Sequence, residues 1–195
     1  DKIKVLERLI DHADALFVGG GMAATFLKAK GLGIGNSLLE ADLVDFCAEV
    51  LLRCEAADIT LNLPSDVVIA QKLEAGTPTR TVRADAVPEG WMILDIGPRS
   101  ADLFSTQLGA MGTVVWNGPM GVFEVPPFDT GTKIVAEGLA AGVAVTVIGG
   151  GSTAEAVDAL GLAEQMTHVS TGGGASLEFL EGKTLPGIAA LQDKP

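Results

Sequence analysis

Val143-Ala144-Val145-Thr146-Val147-Ile148-Gly149-Gly150-Gly151-Ser152-Thr153-Ala154 is the stretch whose reading decides the fold. Its first six residues are a continuous run rich in β-branched side chains, the pattern of a strand buried on both faces of a helix-covered sheet. The run enters three glycines, and Thr153 to Leu160 then has helical composition. Strand, glycine turn and helix form the repeating unit of an α/β sheet, whose ligands gather at the carboxyl ends of its strands.

The same unit recurs on both sides. Ala15 to Val18 runs into Gly19, Gly20 and Gly21 before a helix from Met22 to Lys30, and His168 to Ser170 runs into Gly172, Gly173 and Gly174 before a helix through Leu177, Phe179 and Leu180. Trp91 to Ile96 closes on Gly97 and Pro98 ahead of a helix from Ala101 to Leu108, and Thr113 to Trp116 enters a turn through Gly118, Pro119 and Gly121. Ile59 to Leu63 and Val67 to Ala70 read as further strands. Leu39, Leu43, Phe46, Cys47, Val50, Leu51 and Cys54 fall on one helical face, with Asp42, Asp45, Glu49 and Arg53 opposite. Glu74 to Pro88 breaks the grammar with Thr77, Pro78 and Asp85 and reads as an irregular excursion. The pattern predicts one domain over residues 1–195, a three-layer α/β/α Rossmann-like fold with a mostly parallel sheet.

Of the 195 residues 48% are apolar, enough for a sizeable core. Thirteen Lys and Arg against 25 Asp and Glu give a formal net charge of −12, which argues against nucleic acid and anionic membrane as partners. An anionic ligand must therefore be held locally, by backbone N–H groups, a lysine or a metal. Cys47 and Cys54, seven apart in a helical pattern, match neither a zinc site nor a redox pair and read as core thiols. The longest apolar stretch, Leu139 to Ile148, is too short to span a bilayer. Few cysteines and no leader-like start point to a cytoplasmic protein.

Glycine turns between strand and helix let phosphate approach the backbone at a helix N-terminus, and three at equivalent places in one sheet favour a ligand over mere tight connections. Gly19 to Ala24 and Gly149 to Ala154 both spell the dinucleotide fingerprint G-x-G-x-x-A. That reading requires an acidic residue at the end of the next strand. Glu40 and Asp42 stand at the right distance from the first turn but begin the long helix, and the strand after the second turn ends in Thr171 and glycines. Gly182-Lys183-Thr184 resembles the end of a P-loop, yet Leu177 stands where its leading glycine belongs. A dinucleotide-binding oxidoreductase and a non-catalytic nucleotide-binding module are the rival readings. His12 and His168 sit in no nucleophile motif. In Val114-Val115-Trp116-Asn117-Gly118-Pro119-Met120-Gly121-Val122-Phe123-Glu124, a strand, an amide, a rigid turn and a carboxylate fall within eleven residues. This is either a proline turn with a capping Glu, or a ligand wall with Asn117 as hydrogen-bonding group, Pro119 and Val122 as apolar contacts and Glu124 as ribose acceptor.

At these residues, together with Asp1 to Val5, Trp91 to Pro98 and Ser170 to Pro186, the chain resembles the carboxy-terminal, nucleotide-binding domain of phosphoglycerate kinases. The resemblance implies a monomeric, two-domain phosphotransferase that moves a phosphoryl group reversibly between 1,3-bisphosphoglycerate and ADP, giving 3-phosphoglycerate and ATP in glycolysis, with Mg2+ on the nucleotide. It implies adenine beside Gly20, Gly21, Leu38, Leu94 and Val122, and ribose on Glu124. The triphosphate would run past Asn117 toward Lys2 and the turn Gly150, Gly151, Ser152 and Thr153, with Pro119 and Gly121 also among the nucleotide-binding residues. Gly172, Gly173 and Gly174 would face the transferring group as catalytic backbone donors. Two departures stand out: Ser152 occupies the place of the family's magnesium-binding Asp, and Ile93 that of a glycine by the base pocket. The family's amino-terminal domain, which binds 3-phosphoglycerate, has no counterpart in these 195 residues, nor has the Gly-Gly-Ala-Lys strand expected just before Asp1. The chain alone is therefore expected to bind nucleotide weakly and not to turn over.

Overall fold

A computed structural model describes residues 6, 9–170, 175, 178–179 and 182–191. In chain order, β1 is Ala15–Phe17, α1 Gly20–Ala29, α2 Val44–Ala56, β2 Thr60–Asn62, β3 Asp66–Ala70, β4 Thr79–Arg83 and β5 Met92–Ile96. They are followed by α3 Pro98–Gly109, β6 Thr113–Asn117, α4 Thr130–Ala141, β7 Val145–Gly149, α5 Gly151–Ala159, β8 His168–Val169 and the single turn α6 Pro186–Ala189. A 3-10 turn, Ala41–Leu43, leads into α2. Among the described residues no helix is long and apolar enough to cross a membrane.

The mixed α/β architecture and the mostly parallel pairing agree with the sequence. β1 pairs with β2 in parallel, Ala15 opposite Thr60. β6, β7 and β8 form a second parallel set, with Thr113 opposite Val145, Asn117 opposite Gly149 and Val147 opposite His168. The third set, ordered β4-β3-β5, is antiparallel. Among the described residues, β1 has a strand on one side only, and so does β6.

The main core lies between α3, α4 and the β6–β7 sheet, where Phe104, Val135, Leu139, Trp116 and Ile148 are buried together. A second cluster holds α1 and α2 on β1 through Phe26, Val50, Cys47 and Cys54. Phe17 of β1 meets Phe104 of α3 edge-on at 5.2 Å between ring centroids, linking the two parallel sets. Burial pushes the Cys47 thiol up to about 11, with Glu40 adding to the effect, so it is an inert core group, as its spacing suggested.

Four expectations change. Residues 74–88 contain a strand, β4, completing a hairpin with β3; its side chains are largely exposed, so it lacks the apolar alternation that marks a half-buried strand. β5 runs antiparallel to β3 rather than joining the parallel sheet. Helix α4 spans 130–141, where Gly131, Gly138 and β-branched residues weaken the helical signal. The strand at 143–148 is shorter than expected and buried on one face only: Thr146 and Ile148 face the core, while Val145 is 47% exposed.

Candidate functional site

The turn after β6 is the hub of the site. The rigid Asn117-Gly118-Pro119-Met120-Gly121 stretch is pinned from three directions. The Gly118 N–H donates to Thr153 Oγ1 of α5 at 2.7 Å, the Met120 N–H donates to Thr132 Oγ1 of α4 at 3.0 Å, and the Gly20 N–H at the start of α1 donates to the Met120 carbonyl at 2.9 Å. Trp116 supports the hub from below: its ring is buried and its Nε1–H donates to the Gly118 carbonyl at 2.7 Å. The carboxyl ends of β1, β6 and β7, all parallel strands, thus meet at one place.

On one side of the hub are two sets of apolar residues. Leu38 is 71% exposed, an unusual position for a large aliphatic side chain, and its Cδ2 lies where a Cβ on Gly21 would touch it at 3.5 Å. The Val122 N–H donates to the Leu94 carbonyl at 2.9 Å, so the loop after β6 is hydrogen-bonded onto β5 beside Ile93. A Cβ on Gly20 would stand 2.8 Å from the Pro119 carbonyl, so glycine is needed there for close packing as well as for its φ of +57°. Glu124 is exposed farther along the same loop.

On the other side is an electropositive corner. The Asn117 Nδ2 is buried and has no hydrogen-bond partner, although a side-chain amide carries two donors. Its amide lies over Gly150, which has φ +82° and is the N-cap of α5. No side chain caps that helix, so the N–H groups of its first turn remain open next to the Asn117 amide. Donors collected without acceptors ask for an anion. Gly151 and Ser152 are exposed at this corner, and Thr153 is buried beneath it.

Hydrogen bonds and close approaches thus link Gly20, Gly150 and Thr153 to the turn that holds Asn117, Pro119 and Gly121, with Gly151 and Ser152 between Gly150 and Thr153, and they link Gly21 to Leu38 and Leu94 to Val122. Lys2 and the catalytic candidates Gly172, Gly173 and Gly174 lie outside the described residues. No group of three or more His, Cys, Asp or Glu side chains fit to hold a metal occurs among the described residues. The side-chain oxygens at the electropositive corner, Ser152 Oγ, Thr153 Oγ1 and Asn117 Oδ1, are all neutral and so offer a magnesium ion no charge, and Thr153 Oγ1 already accepts from the Gly118 N–H. Met120, Thr132 and Asp95 went unnoticed in the sequence. Asp95 accepts from the Gly131 N–H at 2.7 Å and from the Ile96 N–H at 2.8 Å under the loop, and no local pattern marks that pairing of β5 with α4.

The chain is similar in sequence and in fold to known proteins. A family model described as phosphoglycerate kinase matches residues 1–183. Phosphoglycerate kinases of Pelotomaculum thermopropionicum and Chloroflexus aggregans are 54% and 51% identical, covering 100% and 99% of this chain and 49% of their own lengths. The structure of phosphoglycerate kinase from Coxiella burnetii superposes with a TM-score of 0.93 at 43% identity, over 96% of this chain and 49% of that one. The enzyme from Pyrococcus horikoshii superposes with a TM-score of 0.81 at 30% identity, over 97% of this chain and 48% of that one. The chain spans about half the length of the relatives it matches.

Proposed function

Because this chain belongs to the phosphoglycerate kinase family, we propose that residues 1–195 are the nucleotide-binding domain of a two-domain kinase, taking ADP or ATP at the turn after β6. The observation that carries the reading is the unpartnered, buried Asn117 amide beside the uncapped start of α5. An orphaned buried donor costs about 1–3 kcal/mol, and a phosphate oxygen between Asn117 and the Gly150–Thr153 turn relieves it. The exposed Leu38 beside Gly21 supports placing the base on this side. Gly21, Leu38, Leu94 and Val122 form the proposed base slot with Pro119 as a further apolar contact, Glu124 accepts from ribose hydroxyls, and the phosphates run past Asn117 to the helix end.

In the full-length enzyme the reaction is phosphoryl transfer from the acyl phosphate of 1,3-bisphosphoglycerate to ADP, giving 3-phosphoglycerate and ATP. Such transfer asks little covalent chemistry of the protein; it depends on alignment and on neutralising charge spread over the phosphoryl oxygens. This chain contributes the donors at Asn117 and at the start of α5, with Lys2 and the Gly172–Gly174 backbone on the transferring group. Ser152 would be this chain's contact to a magnesium ion on the nucleotide, which would supply positive charge to the phosphates; its hydroxyl brings none of the charge a carboxylate would.

The other half of the full-length enzyme supplies the domain that binds 3-phosphoglycerate and, by its closure, the exclusion of water. It also supplies the Gly-Gly-Ala-Lys strand expected just before Asp1. The working enzyme is a cytoplasmic monomer. The 195-residue chain alone binds nucleotide weakly and does not turn over. A coupled assay of ATP consumption with 3-phosphoglycerate tests this directly: turnover within tenfold of a full-length relative would defeat it.

A further inference from the structure

We propose that Asp95 is a positioning residue for the base slot, its ionised carboxylate tying β5 to the start of α4 directly beneath the loop after β6 and so setting where Leu94 and Val122 stand. The proposal rests on the nucleotide reading only for what the slot holds. Asp95 is 1% exposed and ends up under the loop because β5 is a buried strand whose next residue, Ile96, belongs to the main core. Its Oδ2 accepts from the Gly131 N–H at 2.7 Å and its Oδ1 from the Ile96 N–H at 2.8 Å. Among the described residues no ion pair reaches it. Glycine stands on both flanks, at Gly121 and Gly131, and a Cβ at either position would fall inside contact distance of Oδ1. The site leaves room for a carboxylate and little else. The adjacent Leu94 carbonyl accepts from the Val122 N–H, so a shift of Asp95 reaches both walls of the slot through one peptide unit.

A buried carboxylate without a cation is costly to keep ionised. Burial pushes Asp95 up to about 7, the two backbone N–H groups oppose the rise, and Asp129 at the N-cap of α4 adds to it. From the other packed elements, β3 presents Val68 opposite Asp95, the loop after β6 presents Gly121 and the Phe128 carbonyl, and Glu124 of that loop is exposed. Protonation makes one of the two oxygens a weaker acceptor, so the neutral acid holds the two amides less firmly than the carboxylate does. The folded value lies above the ordinary 3.8, so this group's contribution to stability falls as pH rises from about 4 through about 7. Above neutrality the fold carries the ionised form at a cost, and what it gains is a fixed loop.

The test is an amide NMR titration of the whole chain from pH 5.5 to 8.5, with ADP affinity measured at both ends of the range. The Gly131, Leu94 and Val122 amides are expected to titrate together near pH 7 and to stay flat in Asp95→Asn. ADP affinity is expected to rise about tenfold from pH 6 to 8 in the parent, following the ionised fraction, and about twofold or less in the variant. A Gly131 amide that titrates while Leu94 and Val122 do not move would reduce Asp95 to a helix cap and overturn the proposal; the parent chain alone gives this result even if Asp95→Asn fails to fold. Absence of ADP binding at every pH would count against the nucleotide reading, while the amide titration still decides the role of Asp95.

Discussion

Gly19-Gly20-Gly21 and Gly149-Gly150-Gly151 spell the same motif at the ends of two parallel strands, yet they do different work. In the first, the glycines are needed because the hub is pressed against them: a Cβ on Gly19 would sit 2.5 Å from Met120 Sδ, and one on Gly20 would sit 2.8 Å from the Pro119 carbonyl. In the second, a Cβ on Gly151 would meet nothing within 4 Å, and Gly150 faces an amide whose hydrogens are unused. One turn is closed by packing and the other is open with its donors free. A glycine motif therefore names a backbone geometry, and only the surroundings tell whether a neighbour or a ligand uses it.

Substitutions that add one methyl group separate the two roles. Gly121→Ala should have the largest effect, because its Cβ would overlap both the Asp95 carboxylate and the Phe128 backbone carbonyl. Denaturant unfolding is expected to show a loss of about 3 kcal/mol. Gly20→Ala combines a positive φ with a backbone clash and should cost about 2 kcal/mol by the same measurement. Asn117→Asp leaves the fold within about 1 kcal/mol but turns the free donor into an acceptor facing phosphate, and calorimetry is expected to show ADP affinity reduced at least about tenfold. Gly151→Ala is the smallest: open space and a helical position predict stability unchanged or raised by about 0.5 kcal/mol. Nucleotide affinity should fall about threefold, since the methyl group stands where phosphate approaches. Equal stability losses at Gly20 and Gly151 would erase the distinction between the turns.

Sequence reading located the strand and helix units because each combines an apolar run with a glycine break, and these signals are local. It missed β4, whose residues Thr79, Arg80, Thr81 and Arg83 are exposed and carry no apolar alternation, and α4, where Gly131 is kept for its fit beside Asp95 at the expense of helix propensity. The antiparallel course of β5 was hidden for another reason: strand direction depends on the partner, and β5's partner β3 lies across the hairpin. The candidate residues around Asn117 were legible because they crowd into eleven positions, whereas Thr132 reaches that turn from 12 positions beyond its partner Met120, and Asp95 meets the start of α4 from 36 positions before its partner Gly131. Long-range hydrogen bonds leave no local mark.

Calorimetric titration of the chain with ADP in the presence of magnesium, run beside NAD and beside Asn117→Asp, tests the central claim most directly. Weak ADP binding that the substitution reduces at least about tenfold is expected, with no heat from NAD. NAD binding tighter than ADP, or ADP binding indifferent to Asn117→Asp, would contradict it.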